Sequence, residues 1–160
     1  MRIRFLIVVL LGMLMASGQA FAFLFGAAPA ATGTTGLELS GKTIWSETGA
    51  ADVTLTAAFS NSVSDEFQGE FRLIVMVMNG AMDFERVHIS KVGDDGDKAT
   101  GFLSDRLQLA GKATASRQYR IQLPDGSRGK IVQVMAVIFA TAAADAPPPV
   151  VARAVYPLPQ

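Results

Sequence analysis

The longest apolar stretch, FQGEFRLIVMVMN at 67–79, carries two patterns at once. On a two-residue repeat Phe67, Phe71, Leu73, Val75 and Val77 share one side, a core face, and Glu70, Arg72, Ile74, Met76 and Met78 share the other. The second side starts charged and turns apolar, which predicts a strand that begins near water and finishes under cover on both sides. A helix would gather Phe71, Ile74, Val75 and Met78 on one stripe. The β-branched and aromatic content favours the strand, and Asn79-Gly80 at its end is a hairpin signal.

Short extended runs separated by turn residues fill the rest of the chain from Leu37 onward. Leu37, Leu39 and the group Thr43-Ile44-Trp45 predict a first strand with a break or bulge at Gly41. Residues 52–60 alternate cleanly, with Val53, Leu55, Ala57 and Phe59 inward and Thr54, Thr56 and Ala58 outward. After Asn79-Gly80 the segment 84–92 is the expected hairpin partner, and 102–109 reads either as a short strand or as one helical turn. Tyr119, Ile121 and Leu123 alternate with Gln118, Arg120 and Gln122, the pattern of a strand wet on one side. Pro124-Asp125-Gly126-Ser127 is a turn, and 130–141 is a second long apolar strand with Ile131, Met135, Val137 and Phe139 on one side. Beyond Pro147-Pro148-Pro149, residues 150–156 form an edge strand that Pro157 and Pro159 stop.

These runs amount to an all-β fold: an antiparallel β-sandwich of immunoglobulin-like type with seven or eight strands, lacking the Cys and Trp signature of antibody domains. A small barrel is the competing architecture.

The N-terminus changes the picture of where this fold works. Arg2 and Arg4 precede an uncharged apolar run at 5–16, followed by Ser17-Gly18-Gln19 and the small-x-small site Ala20-Phe21-Ala22. That order predicts a signal peptide helix over 1–22, a flexible linker over 23–36 and the sandwich domain over 37–160. The alternative is an uncleaved anchor, since no charge appears between Phe5 and Leu37. Gly12, Ser17, Gly18, Gln19, Gly26 and Pro29 interrupt its apolar character, so the expectation is a periplasmic or secreted protein with no membrane span after cleavage.

Loss of Arg2 and Arg4 takes the basic residues from 14 to 12 against 14 acidic ones, a net charge of −2. Such a balance offers no clustered positive field for nucleic acid. A domain of this size can bury its own core, which fits the absence of Cys in an exported chain.

Candidate chemistry is sparse. His88 is the only histidine, and neither a G-x-S-x-G nucleophile nor a phosphate-cradling glycine loop accompanies it. Met76, Met78 and Met82 with His88 have the donor types of a Cu(I) site. In a three-residue hairpin, however, His88 stands about 13 Å along the strand from the methionines, and core packing by Met is the simpler reading. Asp94, Asp95 and Asp97 lack the full ligand ladder of a calcium loop, and the pairs Glu66/Glu70 and Asp83/Glu85 carry no spacing that distinguishes them from chance.

The expectation is therefore a non-enzyme with no catalytic, cofactor or metal site: an exported sandwich that binds a protein partner or serves as an accessory, chaperone-like factor of an envelope or extracellular assembly. A partner strand would add at 150–156 or at the strand from Leu37. The alternative is a periplasmic metal or small-ligand carrier built on the Met-rich segment or the Asp loop.

Overall fold

Period-two alternation is realised along nearly the whole of the described chain. A computed structural model describes residues 34–94, 99–142 and 146–160. In chain order the strands are β1 (Thr35–Trp45), β2 (Ala51–Asn61), β3 (Phe67–Val77), β4 (His88–Lys91), β5 (Ala99–Thr100), β6 (Phe102–Leu109), β7 (Thr114–Leu123), β8 (Val132–Ala140) and β9 (Val150–Pro157). They form two antiparallel sheets, one ordered β1-β2-β7-β4-β5 and the other β6-β3-β8-β9. The fold is an all-β, two-layered sandwich. Among the described residues nine strands stand where seven or eight were expected.

The inner faces meet in one core. Val53, Leu55, Ala57 and Phe59 of β2 and Tyr119, Ile121 and Leu123 of β7 pack against Phe71, Leu73 and Val75 of β3 and Val132, Val134, Ala136 and Ile138 of β8. At its centre the Phe59 ring meets the edge of Phe71 at 5.0 Å, and Phe71 stacks on Tyr119 at 5.4 Å. The fully buried aromatic cluster contributes beyond its area, by about 1 kcal/mol for each ring pair.

Several expectations are corrected. The chain bends at Asn79-Gly80, with Gly80 at φ +87°, but no hairpin closes there. The Asn79 side chain accepts the Ile131 N–H and Lys130 Nζ donates to the Ala81 carbonyl at 2.6 Å, so this corner is tied to the start of β8. The chain then crosses to the opposite sheet through a 3-10 turn at Phe84–Arg86, capped by Asp83, and 84–92 supplies only the four-residue β4 there.

Gly41 makes no bulge, because β1 pairs β2 without interruption from Thr35 to Trp45. Its lack of a side chain serves packing instead: a Cβ there would lie 2.8 Å from the Thr54 carbonyl and 3.3 Å from the Tyr156 ring. The irregularity falls at Ile138/Phe139 in the β8–β9 pairing. Opposite it Gly69 leaves room for the Phe139 carbonyl and the Phe67 ring, which a Cβ would overlap.

The segment 102–109 is a strand. Its ambiguity in sequence came from Asp105, which interrupts the inward set Leu103, Leu107 and Leu109. Asp105 sits between Arg117 Nη1 at 2.7 Å, Lys91 Nζ at 3.4 Å and the Tyr119 hydroxyl at 3.3 Å, closing the open side of the sandwich with a polar plug. Burial first, and the Asp105 charge second, drive the Tyr119 phenol far above its ordinary pKa, so it stays a neutral donor.

The leader at 1–22, the linker up to residue 33 and Asp95 and Asp97 lie outside the described residues. The end of that linker, Thr35 and Gly36, is already part of β1. Among the described residues no helix is long and apolar enough to cross a membrane.

Candidate functional site

The side of β3 that turns from charged to apolar faces outward, and its neighbours continue the gradient. Register places Phe102, Ile74, Met135 and Val155 in one row across the four strands of that sheet. The next row is Ser104, Arg72, Val137 and Arg153, and beyond it lie Arg106, Glu70 and Phe139. Ile131, Met135, Val137 and Phe139 are thus an outer set, while the core of β8 is the even-numbered set. Met135 and Val137 are nonetheless only 2% exposed.

At the apolar end the cover stops. Phe102, Val155, Ile131 and Met78 remain between 39% and 54% exposed, and Phe84 stands beside Gly101 at the same corner. Met78 and Ile131 lie together because the Met78 N–H donates to the Ile131 carbonyl at 2.9 Å. These five make up most of the large apolar side chains left in water among the described residues.

Arg72 joins the apolar end to the polar one. Its guanidinium lies 4.5 Å from the centroid of Phe139 and 6.0 Å from that of Phe102. Nε and Nη2 donate to the two oxygens of Glu70 at 2.8 and 3.0 Å, a forked arrangement that fixes the plane of the guanidinium. The Ser104 hydroxyl also donates to Glu70. The bonds from Arg72, and then from Ser104, hold the Glu70 carboxyl below its ordinary pKa, and Glu70 in turn raises that of Arg72.

Farther along, Gln68 and Gln108 both donate to Glu66, at 2.8 and 2.6 Å, and depress its pKa in that order. A shallow depression of about 730 Å³ lies over this polar end, lined by Gln68, Glu70, Ser104, Arg106, Gln108 and Phe139 among others.

No protein-family model matches the chain, and no curated protein matches it. Among the solved structures that match it, three align as follows, all at low similarity. A Bacteroides fragilis protein assigned as a β-galactosidase aligns with TM-score 0.49 and 13% identity, covering 78% of this chain and 17% of that one. Bacteroides uniformis β-glucuronidase 2, solved covalently bound to cyclophellitol-6-carboxylate aziridine, gives 0.49 and 10%, covering 78% of this chain and 14% of that one. An Archaeoglobus fulgidus protein gives 0.36 and 12%, covering 78% and 98%. This chain therefore spans a small part of the two Bacteroides proteins. At such similarity none of the three assigns it a substrate or a role.

The residues singled out for metal binding are scattered. Met76 lies on the outer face opposite Gln133, Met78 is exposed past the end of β3, and Met82 is in the core. His88 is in the other sheet, paired with Gln122 and Thr100, its Nδ1 buried without a hydrogen bond among the described residues. Asp83 caps the 3-10 turn by accepting from the Glu85 N–H at 3.2 Å. Glu66 and Glu70 are each engaged by their own donors. Among the described residues no three His, Cys, Asp or Glu side chains group as metal ligands.

The outer-face cluster of Arg72, Phe102, Phe139 and Ile131 was not singled out in the sequence. Its signal was the second side of β3, where charge gives way to Ile74, Met76 and Met78.

Proposed function

We propose that this chain is an exported, non-catalytic β-sandwich that binds a protein partner through the outer face of the sheet β6-β3-β8-β9, as an accessory factor of an envelope or extracellular assembly. The supporting observation is the exposed cluster Phe102, Ile131, Met78 and Val155 beside the stacked Arg72. Aromatic residues, Met and Arg are the side chains enriched where protein interfaces bind most tightly, and here they adjoin a polar rim.

The occupant is a protein segment with apolar and acidic side chains. On this face the bases Arg72, Arg106 and Arg153 outnumber the acids Glu66 and Glu70. The leader pattern around Arg2, Arg4 and 5–16 supports export. The immunoglobulin-like type is supported by strand order: β1-β2-β7-β4 and β3-β8-β9 follow the A-B-E-D and C-F-G orders of that fold.

The test is site-specific photo-cross-linking in the producing cell, with a photoreactive residue at position 102 and, as the control, at position 54 on the opposite sheet. A discrete protein adduct from position 102 alone, lost when Ile131→Asp is added, is the expected result. Equal adducts from both positions, or an adduct that ignores Ile131→Asp, would overturn the reading.

A further inference from the structure

Four strands border the two sheets, and three of their free edges are blunted. In β6 an inward charge, Asp105, sits on the edge strand, and the Arg106 carbonyl is taken by Arg117 Nη1 at 2.8 Å. The pairing of β9 is irregular at Phe139, Pro149 precedes the strand and Pro157 is its last residue. Among the described residues β5 is two residues long. By contrast β1 is eleven residues long, free of proline and regular along its whole length.

Hydrogen-bond phase sets what β1 offers. The Thr34 carbonyl accepts from Ser62 N at 2.8 Å, and Ser46 N donates to the Ala50 carbonyl at 2.9 Å. Even-numbered residues therefore bond to β2, and odd-numbered ones, Leu37, Leu39, Gly41 and Thr43 among them, turn their N–H and C=O groups to the free edge. The even-numbered side chains lie on the outer face, where Glu38, Ser40 and Lys42 are all exposed. Glu38 and Lys42 have no hydrogen bond or ion pair among the described residues, whereas Asp52 and Arg120 on the same face pair at 3.0 Å.

From this we infer that β1 pairs with β1 of a second copy, antiparallel about a two-fold axis at Ser40, joining two five-stranded sheets into one. In that register Glu38 lies opposite Lys42 of the second copy, and Lys42 opposite its Glu38. Leu39 exchanges backbone hydrogen bonds with Gly41 of the second copy, and Leu37 with its Thr43, using the groups β1 leaves free.

Every neighbouring register compatible with that phase loses the charge match. An axis at Leu39 sets Glu38 against Ser40, one at Gly41 sets Lys42 against Ser40, and axes at Glu38 or Lys42 oppose like charges. Cross-strand pairs are closest at non-hydrogen-bonded positions, so opposite charges gain and like charges lose most there. The contact is isologous and closes at two copies, leaving the outer face of the other sheet free for the partner proposed above.

The experiment is sedimentation equilibrium of the purified protein with oxidative cross-linking of single cysteines, unambiguous because the chain has no Cys of its own. The expectation is a dimer in which Ser40→Cys forms a disulfide and Glu38→Cys does not. Glu38→Lys alone weakens dimerisation roughly tenfold, and Glu38→Lys with Lys42→Glu restores it, on the scale of two cross-strand charge pairs. A chain that stays monomeric up to its solubility limit overturns the inference. So do equal cross-linking of the two cysteine variants and a charge swap that fails to restore the dimer.

Discussion

The two outer faces of this sandwich are built from the same alternation and hold opposite chemistry. On the five-stranded sheet the outward positions are mostly small, hydroxylated or charged, Glu38, Ser40, Lys42, Thr54, Thr56, Ala58, Gln118 and Arg120 among them, with Ile44 an exposed apolar exception. On the four-stranded sheet they include Ile74, Met76, Met135, Val137, Phe139 and Phe102, beside the Arg72–Glu70 clamp and the polar Ser104, Arg106 and Arg153. An antiparallel sheet needs only one dry face to fold, and the first sheet meets that minimum. The second keeps apolar side chains on both faces: Met135 and Val137 are buried there, and the exposed Phe102, Ile131, Met78 and Val155 are the surplus on which the proposed binding face rests.

The largest effect that would sharpen this contrast comes from a charge placed on each face. Met135→Lys puts an ammonium at a position 2% exposed and should cost about 3 kcal/mol or more, whereas Thr54→Glu, exposed between Lys42 and Arg120 on the neighbouring strands, should stay within about 0.5 kcal/mol. Urea unfolding reads both; a mild Met135→Lys would mean that the outer face is wetter than its burial indicates.

A smaller difference separates the two arginine pairs. Arg72→Ala removes a forked pair and uncovers Phe139, and after allowance for its partial exposure the loss should be about 1 kcal/mol. Arg120→Ala, at a half-exposed pair with Asp52, should leave the unfolding midpoint nearly unchanged. Equal effects would erase the distinction between the faces.

The smallest effect is a pH dependence. Glu70 is held below its ordinary value of 4.5, so its contribution is complete above that value and is lost as pH falls through the lowered one. The stability gap between the native chain and Glu70→Gln should therefore narrow as pH drops from about 5 toward 3, measured by urea midpoints across that range. A gap that widens on acidification would contradict the assigned role of Arg72 and Ser104.

How far the sequence foretold all this depends on how one-sided each strand is. The inward sets of β2 and β7 were legible because Thr, Gln and Arg mark their wet side. In β8 both sides are apolar, and periodicity alone could not tell Val132, Val134, Ala136 and Ile138 from Ile131, Met135, Val137 and Phe139. Asn79-Gly80 marked a change of direction, but the hairpin turn read from it does not form. Whether such a turn closes a hairpin or a sheet crossing depended on a side-chain bond to Ile131, 52 residues away. Asp105 misled for the same reason, since Lys91, Arg117 and Tyr119, which make an inward acid tolerable, are remote from it in sequence. The outer-face cluster needed the register of four strands before its members could be seen as neighbours.

One measurement bears most directly on the claim that the four-stranded sheet is the binding face: the affinity of the partner cross-linked at position 102 for two variants, Phe102→Asp and Thr54→Asp. The account predicts a loss of about 100-fold for Phe102→Asp, in line with an interface anchor, and less than about twofold for Thr54→Asp. Equal losses for the two, or none for Phe102→Asp, would contradict it.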